Sequence, residues 1–136
     1  MEVKVSHLGH VKFSIQSRSH SILCDQPVDN GGEDCAMTPP ELMLASLGSC
    51  AAFYAVQYLK TRNLTDSGVE VSVTAEKLKG PARLWNFKIR VEYPVVLNEE
   101  HTEGLMRSVK HCLIHNTLLA PPQIDIELAA KEPTTA

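Results

Sequence analysis

The stretch Thr38-Pro39-Pro40-Glu41-Leu42-Met43-Leu44-Ala45-Ser46-Leu47-Gly48-Ser49-Cys50, continuing to Leu59, decides the fold. Thr38 followed three residues later by Glu41 is a capping box, and the prolines suit a first helical turn. A helix is predicted from here to about Thr61, stopping near Asn63. Leu42, Met43, Leu44, Leu47, Ala51, Phe53, Val56 and Leu59 leave it apolar on nearly every face, the mark of a helix covered on all sides. Ala45, Ser46, Gly48, Ser49, Ala51 and Ala52 are small enough to let a neighbouring element approach closely. Ser46, Gly48, Ser49 and Gln57 interrupt the run too often for a membrane span.

Around this helix the sequence alternates with the period of half-buried strands. Val3, Val5, Val11, Phe13 and Ile15, then Ser21 to Asp25, predict a three-stranded meander with turns at Gly9-His10 and Ser17 to His20. Gln26 to Met37, rich in Asp, Asn, Gly and Pro, is a loop. Val69 to Glu76 and the odd-numbered residues Trp85 to Tyr93 predict two strands joined by a turn at Gly80-Pro81. A second helix is expected from Asn98 to about Leu118, with Cys112 and Asn116 on its inward stripe with Leu105 and Val109. Ile124, Ile126 and Leu128 predict a last strand, and Glu132 to Ala136 a frayed tail. The order βββ-α-ββ-α-β places the chain in the α+β class, one largely antiparallel sheet around a buried central helix. One sheet covers one side of that helix, so a homodimer is expected to cover the other.

Composition narrows the function. The chain has 136 residues, the length of one domain over 1–136. A net charge of −3 and 5% aromatic residues give neither a basic surface nor a stacking platform, so no nucleic-acid partner is expected. Met1 to Val5 has no apolar signal-peptide core. The expected location is the cytoplasm, with no membrane partner. There Cys24, Cys35, Cys50 and Cys112 are not expected to form structural disulfides, and no CxxC spacing suggests zinc.

Cys50 and Cys112, each on an inward helix face, read either as small buried hydrophobes or as a redox pair. His111 and His115 share a helical spacing but lack a third metal ligand, so no metal site is expected there. Cys24 reads as a packing residue, and Cys35 as a loop thiol.

The Thr38 to Cys50 segment resembles the central-helix signature of the OsmC/Ohr family, osmotically inducible and organic hydroperoxide resistance proteins. The Cys112 helix is similar to the family's second-cysteine helix. Asp25 with Gly31-Gly32, and Pro81-Ala82-Arg83-Leu84, fit the OsmC-like branch. The resemblance implies an intertwined homodimer and a thiol peroxidase acting on organic hydroperoxides or hydrogen peroxide, without metal, haem or flavin. Cys50 would be the peroxidatic cysteine and Cys112 the resolving one, reduced by an external dithiol of the lipoyl-protein or thioredoxin type. The family's peroxidases also use an Arg from the N-terminal strands and a Glu at the helix start. Here Pro40 stands where that Glu is expected, and Arg18 lies in a turn. Glu41 and Arg83 are the substitutes expected to serve Cys50. A non-catalytic dimer binding an apolar ligand, and a redox sensor, are the alternative readings.

Overall fold

A computed structural model describes residues 1–133; of the tail expected at Glu132 to Ala136, residues 134–136 lie outside the described residues. β1 (Lys4–Gly9), β2 (Lys12–Ser17) and β3 (His20–Cys24) form an antiparallel meander in the order β1-β2-β3. Its turns fall where expected, with His10 and Arg18 in the left-handed region. A loop with a single 3-10 turn, Val28–Asn30, leads to α1 (Pro39–Thr61). β4 (Glu70–Lys79) and β5 (Ala82–Glu92) make a long antiparallel hairpin, followed by α2 (Glu99–Lys110) and α3 (Leu113–Leu119). The α+β class and the antiparallel pairing agree with expectation.

The two N-terminal helix boundaries have local causes. Thr38 Oγ1 accepts the Glu41 N–H, and the Glu41 carboxylate accepts the Thr38 N–H at 2.7 Å, completing the capping box. Asn98 Oδ1 accepts the His101 N–H at 2.8 Å and caps α2. Asn63, in the left-handed region, ends the path out of α1.

The core is the stripe of α1 that carries Ala51, Ala55, Tyr58 and Leu59, packed on Leu105 and Val109 of α2. Val71 of β4 and Ile89 and Val91 of β5 close it from the sheet side. Gly48 sets the approach of α1 to β4: a Cβ there would lie 3.1 Å from Val73 Cγ2. Gly104 does the same for α2, because a Cβ would lie 2.1 Å from Tyr58 Oη. That hydroxyl pairs with His101 Nδ1 at 3.1 Å, and the Arg62 guanidinium stacks 3.8 Å above the Tyr58 ring.

Four expectations are corrected. The five strands do not join into one sheet; the meander and the hairpin are separate, and the helices pack on the hairpin and on each other. In consequence α1 is covered along one stripe only, with Phe53 57% exposed. Its length and apolarity alone would also permit a membrane crossing, but its buried stripe packs within this chain. The strand expected at Ile124 to Leu128 is absent, and those apolar side chains are 81–93% exposed. Alternation supplies one apolar face, but a strand also needs an edge for its amides and carbonyls. Finally, the second helix is broken at His111 and Cys112. Cys112 takes an extended ψ of 126°, and α3 starts in a new direction, leaving Asn116 exposed rather than inward.

The strand β5 also slips. Thr74 pairs with Lys88 but Glu76 with Trp85, so β5 carries an extra residue at this bulge, and Asn86 takes a φ of 51°. Alternation then changes phase. Phe87, Ile89 and Val91 stay half-buried, Leu84 takes the next inward place, and Trp85 is turned out to 50% exposure.

The loop before α1 is organised by Asp25, which is buried. Burial pushes its carboxyl upward, but the amides of Gln26, Cys35 and Glu33 and the Cys35 thiol outweigh this and lower it to about 2. A carboxylate lowered in the folded state stabilises above its ordinary value of 3.8 and loses that contribution as pH falls toward 2. Acid titration of the unfolding midpoint from about pH 5 downward is therefore expected to fall less steeply in Asp25→Asn than in the parent. Equal slopes would contradict the assignment. Gly104→Ala is expected to destabilise by ~1–3 kcal/mol in denaturant titration, since Tyr58 must leave its pocket.

Candidate active site

The break between α2 and α3 builds the site. Cys50 sits mid-way along α1 and is half-buried, while Cys112 is completely buried between the two C-terminal helices. Cys112 serves as the N-cap of α3, its Sγ accepting the His115 N–H at 3.5 Å. Both cysteines are free thiols.

Burial pushes the Cys50 thiol up. The S–H of Cys112 and the main-chain N–H groups of Ile114 and Leu113 act as donors toward Cys50, and they hold it below the ordinary value of 9.0. Cys112 goes the other way: burial and the donation of its proton to Cys50 raise it. The two thiols are thereby pushed apart, Cys50 becoming the more readily ionised of the pair and Cys112 the less. A thiolate is the nucleophilic form of cysteine.

The amides of Leu113 and Ile114 are the part that sequence reasoning missed. In an unbroken helix they would be bonded within the helix; the extended backbone of Cys112 releases them. One signal was available: Arg107 and Lys110 are basic residues of a kind that gathers in last helical turns.

Of the four expected site residues, the fold brings Cys50 and Cys112 together. Glu41 stays at the entrance of α1, about 13 Å along the helix axis from Cys50 at ~1.5 Å per residue. Its carboxylate is engaged by the Thr38 N–H and Oγ1, which also hold it below the usual carboxylate value. Arg83 stands at the start of β5 with its guanidinium 5.2 Å over the Trp85 ring. Among the described residues, no arginine acts on the Cys50 thiol within one chain.

An apolar cavity of about 680 Å3 is bordered by residues one turn away from each thiol, and by neither thiol itself. Leu47, one turn before Cys50, and His115, one turn after Cys112, form part of its wall. The consecutive residues Arg83 to Phe87 form another part, an arrangement that regular alternation forbids and the β5 bulge permits. Arg83 and Leu84 also border a second cavity of about 660 Å3, shared with Asn30, Thr38 and Lys77.

The remaining candidates separate. His111 caps α2 and faces Arg62 and Arg107, and His115 lies on α3 with its Nδ1 buried and unpartnered. These histidines do not gather with Cys112 as a metal cluster. Cys24 is buried in β3, and Cys35 sits in the loop with its thiol donating to Asp25 Oδ2 at 3.2 Å.

The chain belongs to the OsmC-like protein family, whose model matches residues 31–127. No curated protein sequence matches it significantly. Several solved structures share the fold. A protein of Psychrobacter arcticus, provisionally named an osmotic stress induced and detoxification response protein, aligns at 22% identity, a TM-score of 0.78 and 85% of each chain. An OsmC-like protein of Mycoplasma pneumoniae aligns at 18% identity and a TM-score of 0.76, over 88% of this chain and 87% of its own. An organic hydroperoxide resistance protein of Elizabethkingia anophelis aligns at 16% identity and a TM-score of 0.64, over 89% of this chain and 90% of its own.

The thiol geometry has a direct consequence. The rate of Cys50 alkylation by iodoacetamide against pH is expected to show a midpoint below that of an ordinary thiol. Cys112→Ala removes one donor and is expected to move that midpoint upward. An unchanged midpoint would assign the effect to the amides alone.

Proposed function

We propose that this chain is a cysteine-dependent peroxidase that reduces organic hydroperoxides, and hydrogen peroxide less readily, in the cytoplasm. The observation that carries the reading is the paired thiols, with Cys50 lowered by three donors and Cys112 buried against it. The apolar cavity at Leu47 and His115 supports an organic substrate. The name of the Elizabethkingia anophelis protein, organic hydroperoxide resistance, points to the same chemistry.

In this mechanism the Cys50 thiolate attacks the distal peroxide oxygen. The O–O bond breaks, the proximal oxygen leaves with the electron pair and takes a proton to become the alcohol, and Cys50 becomes a sulfenic acid. The Cys112 sulfur then attacks Cys50, expelling water and forming a disulfide. An external dithiol, of the lipoyl-protein or thioredoxin type, restores both thiols and is itself oxidised. The residues invoked supply the thiolate, the resolving thiol and the donors; the cycle calls on no cofactor. Arg83 enters the reading as a residue that a second subunit would bring toward Cys50, and Glu41 as one that helps to hold such an arginine.

The working form in this proposal is a homodimer. Support comes from the apolar groups one chain leaves in water: Phe53 on α1, Trp85 on β5, and the alternating Ile124, Ile126 and Leu128. A second copy would offer the edge that the C-terminal segment needs, and the cover that α1 needs. A dimer that merely holds an apolar ligand, or senses oxidation, is the second reading. It is favoured by the engagement of Glu41 with Thr38 and of Arg83 with Trp85.

Peroxide consumption by the purified protein with dihydrolipoamide is the test, comparing tert-butyl hydroperoxide with hydrogen peroxide. Turnover is expected to be faster with the organic peroxide and to fall to background in Cys50→Ser. Cys112→Ser is expected to consume one equivalent and stop at a sulfenic acid trappable with dimedone. Full turnover in Cys50→Ser would overturn the proposal. No turnover in the parent with any dithiol would transfer support to the ligand-binding dimer.

A further inference from the structure

The loop between β3 and α1 holds a polar cluster that the peroxidase reading leaves unused. Asp25, at the end of β3, is 1% exposed. Its Oδ2 is fully employed, accepting the Glu33 N–H at 3.0 Å, the Cys35 N–H at 3.2 Å and the Cys35 S–H at 3.2 Å. Its Oδ1 is sealed from solvent and accepts no well-formed hydrogen bond, the adjacent Gln26 N–H being the one further donor that acts on this carboxyl. A buried carboxylate oxygen left in that state is costly, and a bound ion or water is its ordinary explanation.

The neighbours of Asp25 have the chemistry of an ion site. One ligand atom each from Asp25, Glu33 and Cys35 lies within 4.8 Å of the others. In a tetrahedral zinc site, bonds of ~2.0–2.3 Å set ligand atoms roughly 3.3–3.8 Å apart. Closing the remaining gap falls to the exposed side chains of Glu33 and Cys35, which must first give up their contacts with Lys12 and Asp25. Gly32 allows the loop to fold this tightly: a Cβ there would lie 1.8 Å from the Gln26 carbonyl oxygen.

We propose that Asp25, Glu33 and Cys35 bind a thiophilic divalent cation of the zinc class, with water completing the shell. The sulfur ligand selects against calcium and magnesium, which take oxygen. Asp25 would serve both purposes at once, holding the loop amides and lending a carboxylate oxygen to the metal. On binding, the Cys35 Sγ gives its proton to solvent and bonds to the metal; no electron is transferred. The Lys12 ammonium, which pairs with the Glu33 carboxylate, is released. Lys12 is thus a built-in competitor for the site.

Cobalt(II) is the probe, titrated into the full-length reduced protein, with the thiolate-to-cobalt absorption in the near ultraviolet as readout. One equivalent is expected to generate the band, and zinc to bleach it. Cys35→Ser, which keeps the donor to Asp25, is expected to abolish the band. Glu33→Gln is expected to weaken binding ~10-fold or more. Lys12→Gln is expected to tighten it, a result that a purely structural role for the loop would not produce. The Cys50→Ser/Cys112→Ser double variant is expected to keep the band. Absence of the band in the parent would overturn the proposal. So would a band that survives Cys35→Ser and vanishes in the double variant, since the metal would then sit on the redox pair.

Discussion

The packing of α1 onto the β4–β5 hairpin and α2 is the contact from which the rest of the structure follows. Ala51, Ala55, Tyr58 and Leu59 line one stripe of the helix, and Leu105, Val109, Ile89 and Val91 close around it. Each large aliphatic chain buried there contributes about 1.5–3 kcal/mol. Glycines at 48 and 104 let the neighbours come close, so that the Tyr58 hydroxyl reaches His101 across α2. With this stripe fixed, Cys50 is held in place beside the junction of α2 and α3.

That junction counters the effect of burial on the half-buried Cys50 thiol. A cysteine in mid-helix gains little from the positive end of its own helix, because that effect fades within the first turn. Desolvation alone would leave Cys50 protonated. The break at Cys112 counters this locally: it sets a thiol and the main-chain N–H groups of Leu113 and Ile114 toward Cys50 within the same chain. No distant arginine is needed to explain the direction of the shift. In the proposed cycle activation and resolution would be coupled, since the residue that helps lower Cys50 would also be the one to capture its oxidised form.

Much of this was legible in the sequence, and the failures share a cause. The capping box at Thr38 and Glu41, the extent of α1, the turns at Gly9-His10 and Gly80-Pro81 and the strand alternation all come from local preferences, and all appear. The continuous second helix did not appear, because the outcome at Cys112 depends on packing against α1 rather than on any breaker residue at 111 or 112. The inward place expected for Trp85 fell to Leu84, because one residue of bulge at Asn86 reverses a period-two pattern. Ile124 to Leu128 carry a strand pattern with no edge to join within the chain. In the candidate site, inward faces allowed the two cysteines to meet, although Cys112 sits at a helix break, whereas the amides of Leu113 and Ile114 were not legible, since main-chain groups leave no mark in a side-chain pattern.

The central claim is that Cys50 and Cys112 form one redox unit and that Cys24 and Cys35 stand outside it. Peptide mapping by mass spectrometry after addition of a single equivalent of hydroperoxide to the reduced protein addresses it most directly. The account predicts one cross-linked species, joining the peptide of Cys50 to that of Cys112, with Cys24 and Cys35 still alkylatable once the protein is denatured. A disulfide through Cys35 or Cys24, or oxidation of Cys50 to sulfinic acid with Cys112 left reduced, would contradict it.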